Sequence, residues 1–175
     1  AVLYVGNHRS FYDIILTYPK VPRPTGYVAK KEMLKVPLLS VWMKYLHCLF
    51  LDRDNIKEGL KTILQAIEMV KSGISVCIFP EGTRNKTDQL LLEFHAGSFR
   101  AGMDAKAPIA IVAVKGTKEI HKRAPWRPCF VYLDILKVIT PEEYENLTPA
   151  QVRDLAFGLI KNDLEGGLLY ELPAL

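Results

Sequence analysis

The stretch that decides the fold is NIKEGLKTILQAIEMVKSGISVCIF, residues 55–79. Ile56, Leu60, Ile63, Leu64, Ile67 and Val70 recur at helical spacing and fall on one face, which predicts an amphipathic helix. Asn55 stands where an N-cap belongs, with Glu58 three residues on, and Gly73 stands where the helix should stop. Ser75 to Phe79 follows at once as a short, continuously apolar run, the pattern of a strand buried on both faces. A helix that leads directly into such a strand is the unit from which parallel sheets with crossover helices are built.

The same alternation extends in both directions. Upstream, Ala1 to Gly6 reads as a strand, Phe11 to Tyr18 as a short helix and Tyr27 to Ala29 as a short strand. A helical stretch over Lys31 to Leu46 then leads to a third strand, Cys48 to Leu51. Downstream come a polar loop, Pro80 to Leu90, a short helix around Gly97 to Lys106, and a strand from Ile109 to Val114. A basic loop, Lys115 to Arg127, precedes a long apolar strand, Cys129 to Val138. Thr140-Pro-Glu-Glu and Thr148-Pro-Ala-Gln each open a helix, and the tail from Gly166 to Leu175 reads as loosely ordered. The expectation is one α/β domain over residues 1–175, with a mostly parallel sheet flanked by helices.

Composition narrows the class. The 175 residues are 49% hydrophobic and 24% charged, which excludes disorder for most of the chain. A net charge of +4 suits partners that carry phosphate, without choosing nucleic acid over anionic lipid or coenzyme. Cys48, Cys77 and Cys129 are odd in number, have no paired spacing and sit in apolar runs. They read as reduced, buried thiols of a cytosol-facing protein, with neither disulfide nor zinc. The most apolar stretch, Val36 to Leu51, is interrupted by Lys44 and His47 and is too short to span a bilayer. The chain opens inside an apolar run with no signal peptide, as a fragment entered from something upstream would.

Two segments could carry chemistry. In Asn7-His8-Arg9-Ser10-Phe11-Tyr12-Asp13, the histidine and aspartate would lie about 140° apart on a continuous helix. A base and its orienting carboxylate therefore require His8 in the turn before the helix and Asp13 in its first turn. Ser10-x-x-Asp13 is equally readable as a capping box. Phe79-Pro80-Glu81-Gly82-Thr83-Arg84 follows a buried strand. Gly82 would permit close backbone approach, Thr83 adds a hydroxyl, and Arg84 offers a bidentate fork for phosphate or merely a surface charge. Lys30-Lys31 and Leu51-Asp52-Arg53-Asp54 would end two further strands on the same rim. His47, His95 and His121 stand apart from these segments and read as structural or surface residues.

In this order the segments resemble the glycerolipid acyltransferases, most closely those acting on 1-acylglycerol-3-phosphate. Asn7, His8 and Asp13 match the family's first block, and Ala29 to Leu34 with Pro37 and Leu51 to Asn55 match its second. Pro80 to Arg84 match its third in full, and Ala107-Pro108-Ile109 match its fourth in part. A proline usual in the fourth block is replaced by Ile111, and a lysine usual after the third by His95.

The resemblance implies that His8, helped by Asp13, deprotonates the free hydroxyl of a lysophospholipid, which attacks acyl-coenzyme A or acyl-carrier protein as co-substrate, without cofactor or metal. It implies that Arg84, Arg53 and Lys31 hold the acceptor phosphate, with Asn7, Gly82 and Thr83 in support and Glu81 orienting the cations. Backbone N–H groups near Gly82 or Lys31 would serve the oxyanion, and Val36 to Leu51 would line an acyl groove. It further implies phosphatidic acid as product, anchoring helices upstream, and a place on the cytoplasmic face of a membrane, with no nucleic-acid partner. The loop Lys115 to Arg127, with Lys118, Lys122, Arg123, Pro125 and Trp126, reads either as a membrane contact or as a solvated basic loop with Trp126 packed inward. The alternatives are another lysolipid or glycerol-3-phosphate as acceptor, a thioester hydrolase, or a non-catalytic lipid-binding module.

Overall fold

The computed structural model describes residues 1–21, 24–52, 55–122 and 128–166. Six strands form one sheet: β1 (Leu3–Gly6), β2 (Thr25–Lys30), β3 (Leu49–Leu51), β4 (Ser75–Ile78), β5 (Ile109–Lys115) and β6 (Tyr132–Ile139), in the order β3-β2-β4-β1-β5-β6. All neighbours are parallel except β6, which runs antiparallel to β5. The helices are α1 (Tyr12–Thr17), α2 (Leu39–Tyr45), α3 (Ile56–Lys71), α4 (Arg100–Met103), α5 (Pro141–Tyr144) and α6 (Pro149–Gly166).

Strands β1, β4 and β5 are largely apolar without a period because both faces of the sheet are covered there. On one face, Leu3, Val5, Val76, Ile78, Ile109 and Ile111 pack against Ala66 and Val70 of α3 and Val152, Ala156 and Ile160 of α6. On the other, Tyr4, Tyr27, Cys77, Phe79 and Val112 pack against Ile14 of α1 and Tyr18 just beyond it. The chain steps one way along the sheet through α1 and α2 and the other way through α3. Right-handed crossovers therefore put α1 and α2 on the second face and α3 on the first.

The deciding stretch folds as its pattern dictates at both ends. The Asn55 side chain accepts the N–H groups of Lys57 and Glu58, at 3.0 and 3.3 Å, and α3 closes at Lys71. The buried face is rotated from the expected one, however: Ala66, Ile67 and Val70 are buried, whereas Leu60 and Leu64 are more than half exposed. The short edge strand β3 has too little width to cover Leu60 and Leu64 as well.

Two expected helices are interrupted. The stretch over Lys31 to Leu46 divides into a 3₁₀ turn, Lys31–Lys35, and α2, because Pro37 holds Val36 in an extended conformation. The helix around Gly97 to Lys106 is a 3₁₀ turn, Ala96–Phe99, running into α4. The last strand starts later than expected, at Tyr132, and α5 opens with a complete Thr140–Glu143 capping box. Ile111, where the family's proline was expected, is fully buried next to a register shift in the β5–β6 ladder. Cys77 is buried but Cys48 and Cys129 only half so, and all three are free. The tail beyond Gly166 lies outside the described residues.

Candidate active site

Strands β1 and β4 are parallel neighbours with Val5 opposite Ile78. Three residues beyond that pair on each strand lie His8 and Glu81, so their meeting follows from the register. The His8 N–H donates to Glu81 Oε1 at 2.7 Å, and the N–H of Leu92 donates to Glu81 Oε2 at 3.0 Å. Asn7, fully buried, fastens the end of β1 to β5. Its side-chain amide donates to the Val114 carbonyl at 2.9 Å, and its oxygen accepts the Val114 N–H at 2.8 Å.

The imidazole of His8 stacks on Phe79, with ring centroids 4.2 Å apart and planes 12° from parallel. Its Nδ1 lies 2.8 Å from Asp13 Oδ2. That oxygen also accepts the N–H groups of Arg9 and Ser10, at 2.7 and 2.8 Å, and the hydroxyl of Thr117 donates to the other oxygen. A carboxylate surrounded by donors assigns the imidazole proton to Nδ1 and leaves Nε2 as an acceptor. Nε2 has no partner among the described residues.

His8 is in the turn and Asp13 in the first turn of α1, the only arrangement that brings the two together. The capping-box reading is half present. Asp13 accepts the Ser10 N–H, but the Asp13 N–H bonds to the Ser10 carbonyl rather than to its hydroxyl. One carboxylate thus ties the turn before α1 to its first turn and orients the histidine.

Both oxygens of Glu81, expected to orient the cations, accept backbone N–H groups, at His8 and Leu92, and neither bonds to Lys31 or Arg84. Burial pushes its carboxyl above the usual range, against the two N–H bonds and the nearby His8 and Arg9. Gly82, at φ 66°, donates its own N–H to the Phe79 carbonyl in a tight turn, so that N–H is not free for an oxyanion. The N–H groups of Thr83 and Arg84 bond to no other described residue. The Arg84 side chain is exposed and likewise unengaged among the described residues. Lys31 starts at the end of β2 on the same edge, where it pairs with Asp52 at 3.2 Å. Arg53 lies outside the described residues.

His95, read as a bystander, belongs to this rim. Its N–H bonds to the Pro80 carbonyl at 2.9 Å, and a Cβ on Gly82 would come within 3.3 Å of its Nε2. Arg9 donates to the carbonyls of Gln89 and Leu90, and the Asn85 N–H donates to the His8 carbonyl at 2.8 Å, which holds the polar loop over the dyad. Thr117 was the residue missed altogether. Its only signal is its place just past β5, where this sheet gathers its functional groups.

The expected acyl groove needs revision, and of the expected membrane loop only residues 115–122 are described. Val36 to Leu51 leaves Leu38, Val41, Trp42 and Tyr45 facing outward. In the loop, Lys115 is bound between Asp134 and Asp163, at 2.7 and 2.9 Å, and Lys118 stands near Asp88. Residues 123–127, with Trp126, lie outside the described residues.

Comparison with known proteins gives concordant results. The family model described as "Acyltransferase" matches residues 1–115. A 1-acyl-sn-glycerol-3-phosphate acyltransferase of Haemophilus influenzae is 32% identical over 156 residues, covering 88% of this chain and 63% of its own length. The Saccharomyces cerevisiae protein of the same name is 31% identical over 159 residues, covering 88% of this chain and 51% of its own. The chain thus spans less than two thirds of these curated relatives. A crystal structure of the 1-acyl-sn-glycerophosphate acyltransferase from Thermotoga maritima superimposes with a TM-score of 0.80 at 25% identity, over 98% of this chain and 68% of that one.

Proposed function

The chain belongs to the acyltransferase family, and from that premise we propose that it transfers a fatty acyl group from an acyl thioester to the free hydroxyl of 1-acylglycerol-3-phosphate, forming phosphatidic acid at a membrane surface. The observation that carries this reading is the imidazole of His8, with Nδ1 anchored to buried Asp13 and Nε2 open. Similar proteins bear the name of this reaction.

In the reaction, Nε2 takes the hydroxyl proton as the oxygen attacks the thioester carbonyl, and Asp13 stabilises the imidazolium. The tetrahedral oxyanion forms beside the turn after β4, where the N–H groups of Thr83 and Arg84 are available as donors. Collapse expels the thiolate, which recovers the proton from His8 to leave as a thiol. No acyl-enzyme is required. Arg84 provides a bidentate fork for the acceptor phosphate, and Lys31, with Arg53, supplies further positive charge on that rim. His95, beside Gly82, adds a third kind of donor to the same edge.

The test is incubation with labelled acyl-coenzyme A or acyl-carrier protein and a panel of lysolipids and glycerol-3-phosphate, with the product identified. Labelled phosphatidic acid formed fastest from lysophosphatidate is the expected result. Free fatty acid in place of ester would make the protein a thioester hydrolase, and faster acylation of an uncharged lysolipid would remove the phosphate assignment.

A further inference from the structure

Helix α2 carries apolar residues on two sides, with Ser40 and Lys44 its only polar ones. Leu39, Met43 and Leu46 form its inner side and are half-buried. Leu38, Val41, Trp42 and Tyr45 follow the i, i+3, i+4, i+7 spacing of a second stripe, and that stripe points outward. Their exposures are 85%, 52%, 58% and 80%. A water-facing helix ordinarily gives such positions to charged residues, so this stripe is built to be covered.

The flanking charges identify what covers it. Lys35 and Lys44 are exposed and form no ion pair with another described residue. Against a second copy of the chain, the contact would gather the same lysines of both copies into one patch, an arrangement of like charges that opposes pairing. Against anionic head groups the same lysines are attracted, while Trp42 and Tyr45 are the residue types that settle at the boundary between head groups and acyl chains. The chain enters this helix from the reacting edge. Strand β2 ends at Lys30 on the edge that carries His8, and the 3₁₀ turn Lys31–Lys35 leads from there to α2.

We propose that the outward stripe of α2, with Lys35 and Lys44, is the surface by which this protein enters the head-group layer of an anionic bilayer. Lys115, at the start of the basic loop after β5, already spends its charge on two aspartates and adds nothing to this contact. The proposal rests on the acyl-transfer reading only in that it supplies a reason for contact with lipid, so binding and catalysis are measured separately.

The experiment uses the full chain with Trp126→Phe, which leaves Trp42 as the sole tryptophan. It is mixed with phosphatidylcholine vesicles containing about 30% phosphatidylglycerol, a surface charge at which each lysine contributes measurably. Trp42 emission should shift to the blue and be quenched by brominated acyl chains. Leu38→Asp with Tyr45→Asp, at the two most exposed positions and thus harmless to the fold, should weaken partitioning by at least about tenfold. Lys35→Glu with Lys44→Glu should abolish the preference for anionic over neutral vesicles. On monomeric short-chain lysophosphatidate the Asp variant should transfer acyl groups at the unmodified rate, whereas transfer to acceptor embedded in vesicles should fall in step with binding.

Vesicle binding with Trp42 emission unchanged would overturn the proposal, as would no binding at all. A concentration-dependent dimer dissolved by the Asp variant would assign the stripe to a second copy instead. A protein that inserts Trp42 but acylates nothing removes the acyl-transfer reading alone; one that acylates monomeric lysophosphatidate without inserting Trp42 removes this one alone.

Discussion

Asp13→Asn preserves shape and removes charge, and the hydrogen-bond pattern of Asp13 makes its outcome calculable. In the native protein one carboxylate oxygen accepts from His8 Nδ1 and the N–H groups of Arg9 and Ser10, and the other from the Thr117 hydroxyl. The amide oxygen can take the side with three donors, while the NH₂ faces Thr117, whose hydroxyl can turn to accept. Each contact survives as a neutral bond in place of a charge-assisted one, at about 0.5–1 kcal/mol apiece, or about 2–4 kcal/mol of stability in all. The reaction loses more. With the two charges about 4 Å apart in an effective dielectric of about 20, the imidazolium forfeits about 4 kcal/mol, on the order of a thousandfold in kcat. Thiol release from acyl-coenzyme A in the presence of lysophosphatidate measures the rate, and a thermal melt on the same preparation measures the fold. A variant that melts as a folded protein and works within about tenfold of the unmodified enzyme would refute the dyad and reduce Asp13 to holding the turn before α1.

Three further outcomes follow from other contacts. Arg84→Lys keeps the charge and loses the fork, so KM for lysophosphatidate should rise by about tenfold with kcat little changed; an unaltered KM removes Arg84 from the phosphate site. Burial raises the Glu81 carboxyl above its ordinary value, so the folded protein binds this proton more tightly than the unfolded chain. Stability should therefore fall as pH rises from the usual carboxylate range through the raised folded value, and melts across that window should show this slope reduced in Glu81→Gln. Gly26→Ala should unfold the protein or cost it more than about 3 kcal/mol, because the added carbon would overlap the His47 carbonyl oxygen; a melt within a few degrees of the unmodified protein would contradict the packing of β2 against the end of α2.

Much of the architecture was legible because local pattern and global fold agree. Unbroken apolar runs such as Ser75 to Phe79 can be satisfied only between two layers of helix, and cappers such as Asn55 and Thr140 mark where helices start. The split of the Lys31 to Leu46 helix was also written locally, in Pro37. The rotation of α3 was not: periodicity tells which residues share a face, but the width of the sheet beneath decides how many are covered. Leu60 and Leu64 lie past that width.

By itself, the sequence determined how His8 and Asp13 could meet as a candidate pair, across a turn into a helix, and left the Ser10–Asp13 capping box equally open. It likewise determined that Arg84 follows a buried strand onto the same edge. Only the tertiary structure decided what holds the pair and what its neighbours do. Thr117 reaches Asp13 across 104 residues, and Glu81 turns from the expected cations to the His8 backbone through the register of β1 with β4. His95 closes on Gly82, and the apolar residues of α2 divide into an inner and an outer stripe. The physical reason is range. Turn geometry, capping and periodicity act over one to a few helical turns of chain, whereas burial and hydrogen-bond partnership are set by whichever strands the sheet places side by side, and neighbouring strands here come from opposite ends of the first two thirds of the chain.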